Sequence, residues 1–224
     1  MDYRVALLLI TAGANFGLAF FIYLKDFRSS INLFFSLMLA AISAWSLSLA
    51  MYYSSVNVEG LYFWIKFNYT FAAFIAFFFY YFCINFPYER KKIDYRWHLF
   101  NISFLALTLF IIFSVGVEQD FIFDSLRGFP SKVNVLGYSI FSLFFYFYII
   151  SSFVELFKKW RNSSSSHRRS IAVVFIATLL AAIFGALFSL ILVPFMTNSA
   201  WVGPLFTMIM VFIIVRYLFI KSPE

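Results

Sequence analysis

Polar and charged positions divide the chain into seven apolar stretches, at about residues 5–24, 31–53, 61–86, 98–115, 137–157, 170–193 and 203–220. Each is close to or above the roughly 20 residues a helix needs to cross a hydrocarbon layer. The segments between them are short and polar or charged. Runs such as FAAFIAFFFYYF (71–82) lack the two-residue alternation of a membrane β-barrel. Lipid offers no partner for backbone N–H and C=O groups, so such runs must be helices, which satisfy their own. The pattern therefore predicts an all-α membrane protein, a seven-transmembrane helix bundle filling residues 1–224 as one domain, with no soluble domain. Ala12-Gly13-Ala14 resembles a signal-peptide cleavage site, but residues 1–4 hold one base and one acid and apolar sequence runs on to Leu24. The first span is expected to be a retained helix.

Composition narrows the class. Apolar residues make up 63% of the 224 and charged ones 12%, with a mean hydropathy of +0.89. Soluble domains run at about 45–50% and about 25%, so a soluble globular fold is excluded. One cysteine and two histidines leave no disulfide framework and little from which to build a zinc site. The net charge of +7 is unevenly placed. Lys25, Arg28, Arg90, Lys91, Lys92, Arg96, Lys158, Lys159, Arg161, Arg168, Arg169, Arg216 and Lys221 fall at one end of the spans, thirteen of the 17 basic residues. Only Arg4, Arg127 and Lys132 fall at the other, and Lys66 lies within the third span. The positive-inside rule puts the N-terminus outside and the C-terminus in the cytoplasm of a multi-pass plasma-membrane protein. The basic balance then faces anionic lipid, and no nucleic-acid partner is implied.

Trp64, Trp97, Trp160 and Trp201 lie near span ends, the interfacial belt positions. Small residues share faces on three spans: Gly13 and Gly17 on the first, Asn32, Ser36, Ser43 and Ala50 on the second, and Ala177, Ala181, Gly185 and Ser189 on the sixth. These faces are expected to point inward, where helices in lipid associate by close approach. Asn15 is expected to bond between helices rather than to a ligand.

Catalytic motifs are missing. There is no H-E-x-x-H, no G-x-S-x-G and no phosphate loop, and Cys83 reads as a buried, inert thiol. No lysine near the centre of the last span could carry a retinal Schiff base. No catalytic residue, metal or cofactor is expected. Lys66 is the one clear ionisable group inside a span, and such groups mark functional paths or snorkel to the interface. Tyr62, Tyr69 and Thr70 share its helical face at i−4, i+3 and i+4, while Asn68 points the other way. Lys66, Tyr62, Tyr69 and Thr70 are thus the candidate ligand-binding set, in a polar pocket of the outer half. Glu155 reads as a surface neighbour of Lys158 and Lys159. The segment 116–136 carries three acids among Phe121, Ile122, Phe123, Leu126 and Phe129 and is expected to fold onto the bundle mouth or lie at the interface. The serine-rich stretch 161–170 reads as a flexible linker.

Several runs resemble a known family. A basic turn leads to Asn-x-Phe and a later Trp in KDFRSSINLFFSLMLAAISAWSLSLA (25–50). LYFWIKFNY opens the third span, FCINFP closes it, and WVGPLFTMIMVFIIVRYLF forms the last. With Asn15 in the first span, these runs are similar to the N-terminal seven-transmembrane region of prokaryotic sensor histidine kinases. The resemblance covers nearly all of residues 5–220. It implies a sensory input module whose last helix continues into a dimerisation helix pair and a kinase domain, and it allows a homodimer. After Ile220 this sequence has only Lys-Ser-Pro-Glu, so the chain is expected to have no kinase activity of its own. It is expected to signal through a domain in cis or a partner in trans, in answer to a small ligand or a membrane stimulus. The alternative is a small multi-pass transporter or permease, which would show internal repeats, broken helices or mid-membrane carboxylates. None is evident in the sequence. An assembly subunit of a larger membrane complex is a third reading.

Overall fold

The computed structural model describes residues 2–88, 94–119, 132–187 and 200–220. Seven helices among them are long and apolar enough to cross a membrane. They are α1 (Tyr3–Lys25), α2 (Ser30–Ser54), α3 (Val58–Asn85), α4 (Tyr95–Ser114), α5 (Val135–Asn162), α6 (Ser165–Ala186) and α7 (Gly203–Ile214), the last running on as a π-helical turn, Val215–Ile220. A two-residue antiparallel pairing joins β1 (Glu118–Gln119) to β2 (Lys132–Val133).

Helix starts lie up to five residues ahead of the apolar spans, and at five of the seven a side chain caps the first turn. Asp2, Ser29, Asn57, Asp94 and Asn134 each accept a backbone N–H of the first turn, satisfying donors that a helix start leaves open. The N–H of Arg4, at 3.0 Å, holds the Asp2 carboxyl below its usual range. At α7 the opening is Gly203-Pro204, with proline in the first turn, where its missing N–H costs nothing.

The expected flexible linker at 161–170 is instead mostly helix. Only Ser163 and Ser164 separate α5 from α6. Arg168 stacks on Trp160, its guanidinium carbon 4.2 Å from the ring centroid, so a contact across the turn outweighs the weak helix preference of the serines.

Helices in lipid gain little from burial as such and hold together by packing and hydrogen bonds. Along α2 the expected small-residue stripe is inward: Asn32, Ser36, Ser43 and Ala50 are all buried. Ser43 donates to the Ala12 carbonyl of α1 at 2.7 Å and Asn32 to that of Ile22 at 3.4 Å. The α1 expectation needs correction. Gly13 and Gly17 lie on its exposed face, where an added Cβ would meet nothing within 4 Å. Its packing face is Leu8, Thr11, Ala12, Asn15, Ala19 and Ile22. On α6, Ala177 and Ala181 are buried in the core, Gly185 lines a central cavity, and Ser189 lies outside the described residues. Asn15 is fully buried, but its amide donates within α1, to the Thr11 carbonyl at 2.9 Å.

Phe35, Phe82, Ile171, Val174 and Val211 pack into one core that spans α2, α3, α6 and α7. A second core joins α3 to α4 and α5 through Tyr69, Phe77, Ile112, Phe141 and Tyr148. By contrast α4 is peripheral, with Asn101, Thr108 and Ile112 its buried residues. The ends of α1, α3, α5 and the π turn share one side with the starts of α2, α4 and α6; this is called the basic end below.

Candidate functional site

Two polar side chains meet in the middle of the bundle. Trp45 is the tryptophan that lies far from any span end, halfway along α2 and 7% exposed. An indole N–H in an apolar interior requires an acceptor, and Asn68 Oδ1 of α3 supplies it at 3.1 Å. Because indole only donates, this bond fixes the amide with its oxygen toward Trp45. The Asn68 Nδ2 group is then buried with no hydrogen-bond partner among the described residues.

Both residues line an apolar cavity of about 100 Å³ whose described wall comes from α2, α3, α5, α6 and α7. Its remaining hydroxyls have donated elsewhere. Thr178 donates to the Val174 carbonyl at 2.7 Å and Thr207 to that of Pro204 at 2.7 Å. Tyr69 reaches out of the cavity to donate to Glu118 Oε1 at 2.7 Å, its ring set edge-on to Phe141. Glu118 is 7% exposed. A carboxylate at such depth needs hydrogen bonds to offset its desolvation, and Tyr52 and Tyr138 also lie within electrostatic reach.

The segment bearing Glu118 is held at both ends. Gly116 ends α4 in the left-handed region, φ 79°, where glycine is favoured, and its N–H bonds back to the Ile111 carbonyl. The Asn134 N–H donates to the Val117 carbonyl, tying the start of α5 to the same strand. Residues 116–118 thus tuck into the bundle mouth. Phe121, Ile122, Phe123, Leu126 and Phe129 lie outside the described residues.

Of the four residues expected to bind a ligand, Tyr69 alone lines the cavity. Lys66 turns to α4 and donates to the Phe113 carbonyl at 3.0 Å, a cation at a helix C-terminus. Thr70 is buried and donates to the Lys66 carbonyl in its own helix, while Tyr62 is half-buried beside it. The side of α3 opposite Lys66 is the one that faces the cavity. Asn68 and Trp45 were legible only as a mid-membrane amide and a tryptophan away from both interfaces. Glu118, in a polar loop, carried no such signal.

The basic end is laced by cations on carbonyls. Lys159 of α5 donates to the carbonyls of Cys83, Ile84 and Phe86 at the end of α3, at 3.0, 2.5 and 2.7 Å. Lys25 of α1 donates to the Phe219 carbonyl in the π turn, and the buried Phe219 ring stacks on Phe35 at 5.3 Å. In the core shared by α3, α4 and α5, Tyr148 donates to Asn101 Oδ1 at 2.8 Å, and Tyr81 and His98 Nδ1 share a hydrogen bond at 2.9 Å.

One protein-family model, described as the N-terminal 7TM region of histidine kinase, matches residues 7–221. The chain belongs to this family. No curated protein and no solved structure matches it at a significant level. As a histidine-kinase 7TM region it is a multi-pass membrane protein of sensory type. The runs that resemble the family map onto the geometry above. Asn32 and Trp45 come from the first, Asn68 and Tyr69 from the second, Phe86 from the third, and Thr207, Met210 and Phe219 from the last.

Proposed function

We propose that the chain is the sensory input region of a membrane receptor, oriented with its basic end in the cytoplasm. Occupancy of the central cavity would move α7, and a signalling domain in cis or a partner in trans would read that movement. The observation that carries this reading is the double role of the last helix. Thr207 and Met210 form part of the cavity wall, while two turns further on Phe219 is tied to α1 by Lys25 and to α2 by Phe35. Between wall and tie the helix changes from α to π winding, a local feature common at functional sites. A stimulus can shift such an equilibrium only by its differential affinity for two states, and near-complete switching needs about 5.5 kcal/mol.

Lys25→Met removes the tie without touching the cavity. With a histidine-kinase cytoplasmic region joined after the π turn, this variant is expected to change basal autophosphorylation several-fold while inserting normally. Output equal to that of the unsubstituted fusion, at equal membrane content, would count against the role of α7. Failure of any such fusion to be phosphorylated in cells would count against the orientation.

A further inference from the structure

An Asn68 Nδ2 group with no hydrogen-bond partner among the described residues, at the wall of an otherwise apolar cavity, specifies a chemistry. We propose that the cavity binds a compact, uncharged, mostly hydrocarbon molecule carrying one oxygen acceptor, such as a small ketone, aldehyde or ester, with that oxygen on Asn68 Nδ2. The proposal deepens the sensory reading above and rests on it for its biological meaning, though not for its chemistry.

Three observations converge. The Trp45 indole fixes Asn68 Oδ1, so the group left over is a donor and the ligand must accept. Leaving a buried N–H₂ unpaired is unfavourable, and a ligand acceptor would relieve it. The rest of the wall is hydrocarbon and thioether, including Ile42, Ala72, Phe145 and Met210, and the lining hydroxyls have already given their protons away. Water is a poor occupant, because an ordered buried water seeks two to four polar partners. A charged ligand would find no counter-ion among the lining residues. Size sets the last limit. The volume of about 100 Å³ is somewhat below the ~150 Å³ that accepts benzene in an engineered cavity. The Asn68 Nδ2 atom is itself covered by its neighbours, and Met38 and Met210, flexible and unbranched, can give way so that a ligand of about six non-hydrogen atoms reaches it.

A matched pair of probes isolates the hydrogen bond. Cyclopentanone and methylenecyclopentane have the same shape, and only the ketone accepts. The full chain in lipid nanodiscs would be titrated with each, the ketone carrying ¹³C at its carbonyl, and binding corrected for partition into empty nanodiscs. The expected result is saturable binding of both, about tenfold tighter for the ketone, as one hydrogen bond in a dry site provides. The bound carbonyl resonance should lie downfield of that of the same ketone in hydrocarbon solvent. Asn68→Leu should abolish both the preference and the shift. Ala182→Leu, which fills the cavity from α6 and leaves Asn68 in place, should abolish binding of both probes. If Asn68→Leu does not fold, the probe pair on the unsubstituted chain and Ala182→Leu still decide. Equal corrected affinities, an unshifted bound carbonyl, no saturable binding, or binding that survives Ala182→Leu would each overturn the proposal. None of these readouts uses signalling output, so their failure leaves the sensory reading standing. An inert fusion with intact ketone binding would remove that reading and leave the site.

Discussion

Gly137→Ala is expected to destabilise the bundle by about 3 kcal/mol, the upper part of the range for overpacking. Gly137 lies in the first turn of α5, where the Asn134 side chain accepts its N–H at 3.3 Å. An added Cβ would run into the Gly116 carbonyl oxygen and stand 3.0 Å from its carbonyl carbon. Backbone cannot rotate aside as a side chain can. Either the α4–β1 turn or the start of α5 must shift, and both carry the Glu118 segment. The variant should therefore also loosen the Tyr69–Glu118 bond at the cavity mouth. Gly116→Ala is a useful comparison, because it meets ordinary space, 3.7 Å from the Glu118 carbonyl, and suffers only the positive φ; about 1 kcal/mol is expected there. Thermal unfolding can be followed with a thiol-reactive fluorophore, since Cys83 is the one cysteine in the sequence and is fully buried. For a chain of this size, 3 kcal/mol corresponds to about 6–12 °C in apparent Tm. A Gly137→Ala midpoint no lower than that of Gly116→Ala would contradict the close approach.

The second large effect is expected at the basic end. Lys159→Met keeps the length of the side chain and removes the ammonium from three carbonyls, those of Cys83, Ile84 and Phe86. Hydrogen bonds to a charged group contribute about 1.5–3 kcal/mol each when tested singly. The three share one donor group and the site is partly open to water, so about 2 kcal/mol in total is expected. The loss should be local, because the ammonium holds the last turn of α3 against α5. Hydrogen exchange at residues 84–88 should speed up while exchange in the middle of α3 stays slow. Lys159→Arg, which preserves charge and donors, should recover part of the protection. Unchanged exchange in Lys159→Met would mean that the carbonyls find other partners and that the lysine is dispensable.

These sites differ in how far the sequence announced them. The seven spans were legible because lipid imposes a single requirement, length and apolarity, which any window of sequence reports. Helix starts were less so, since Asp2, Asn57 and Asn134 set them by capping and not by hydropathy. Charge drew attention to Lys66, but a lysine in a span can be satisfied by a carbonyl at the rim, as Phe113 does here. Asn68, two residues on and some 200° around the helix, points the other way, and that direction is inward. The runs that resemble the family hold Trp45, Asn68 and Tyr69, so they point to the cavity where the ionisable groups do not. Gly13 and Gly17 mislead for a different reason. Spacing puts two residues on one face, and only the packing of neighbouring helices decides which way that face looks. The approach of Gly137 to Gly116 depends on a turn between two helices, which no local pattern encodes.

The central claim is that the state of the cavity is felt at the basic end of the last helix. It is tested most directly by measuring the distance between spin labels at Arg28→Cys and Arg216→Cys, both exposed positions, by double electron–electron resonance in nanodiscs. Cys83 is buried and would escape labelling. Helix shifts at switching interfaces amount to about 1–2 Å. With Ala182→Leu filling the cavity, the account predicts a distance distribution moved by about that much or split into two populations. Distributions that superimpose, with the labelled proteins equally folded, would contradict it.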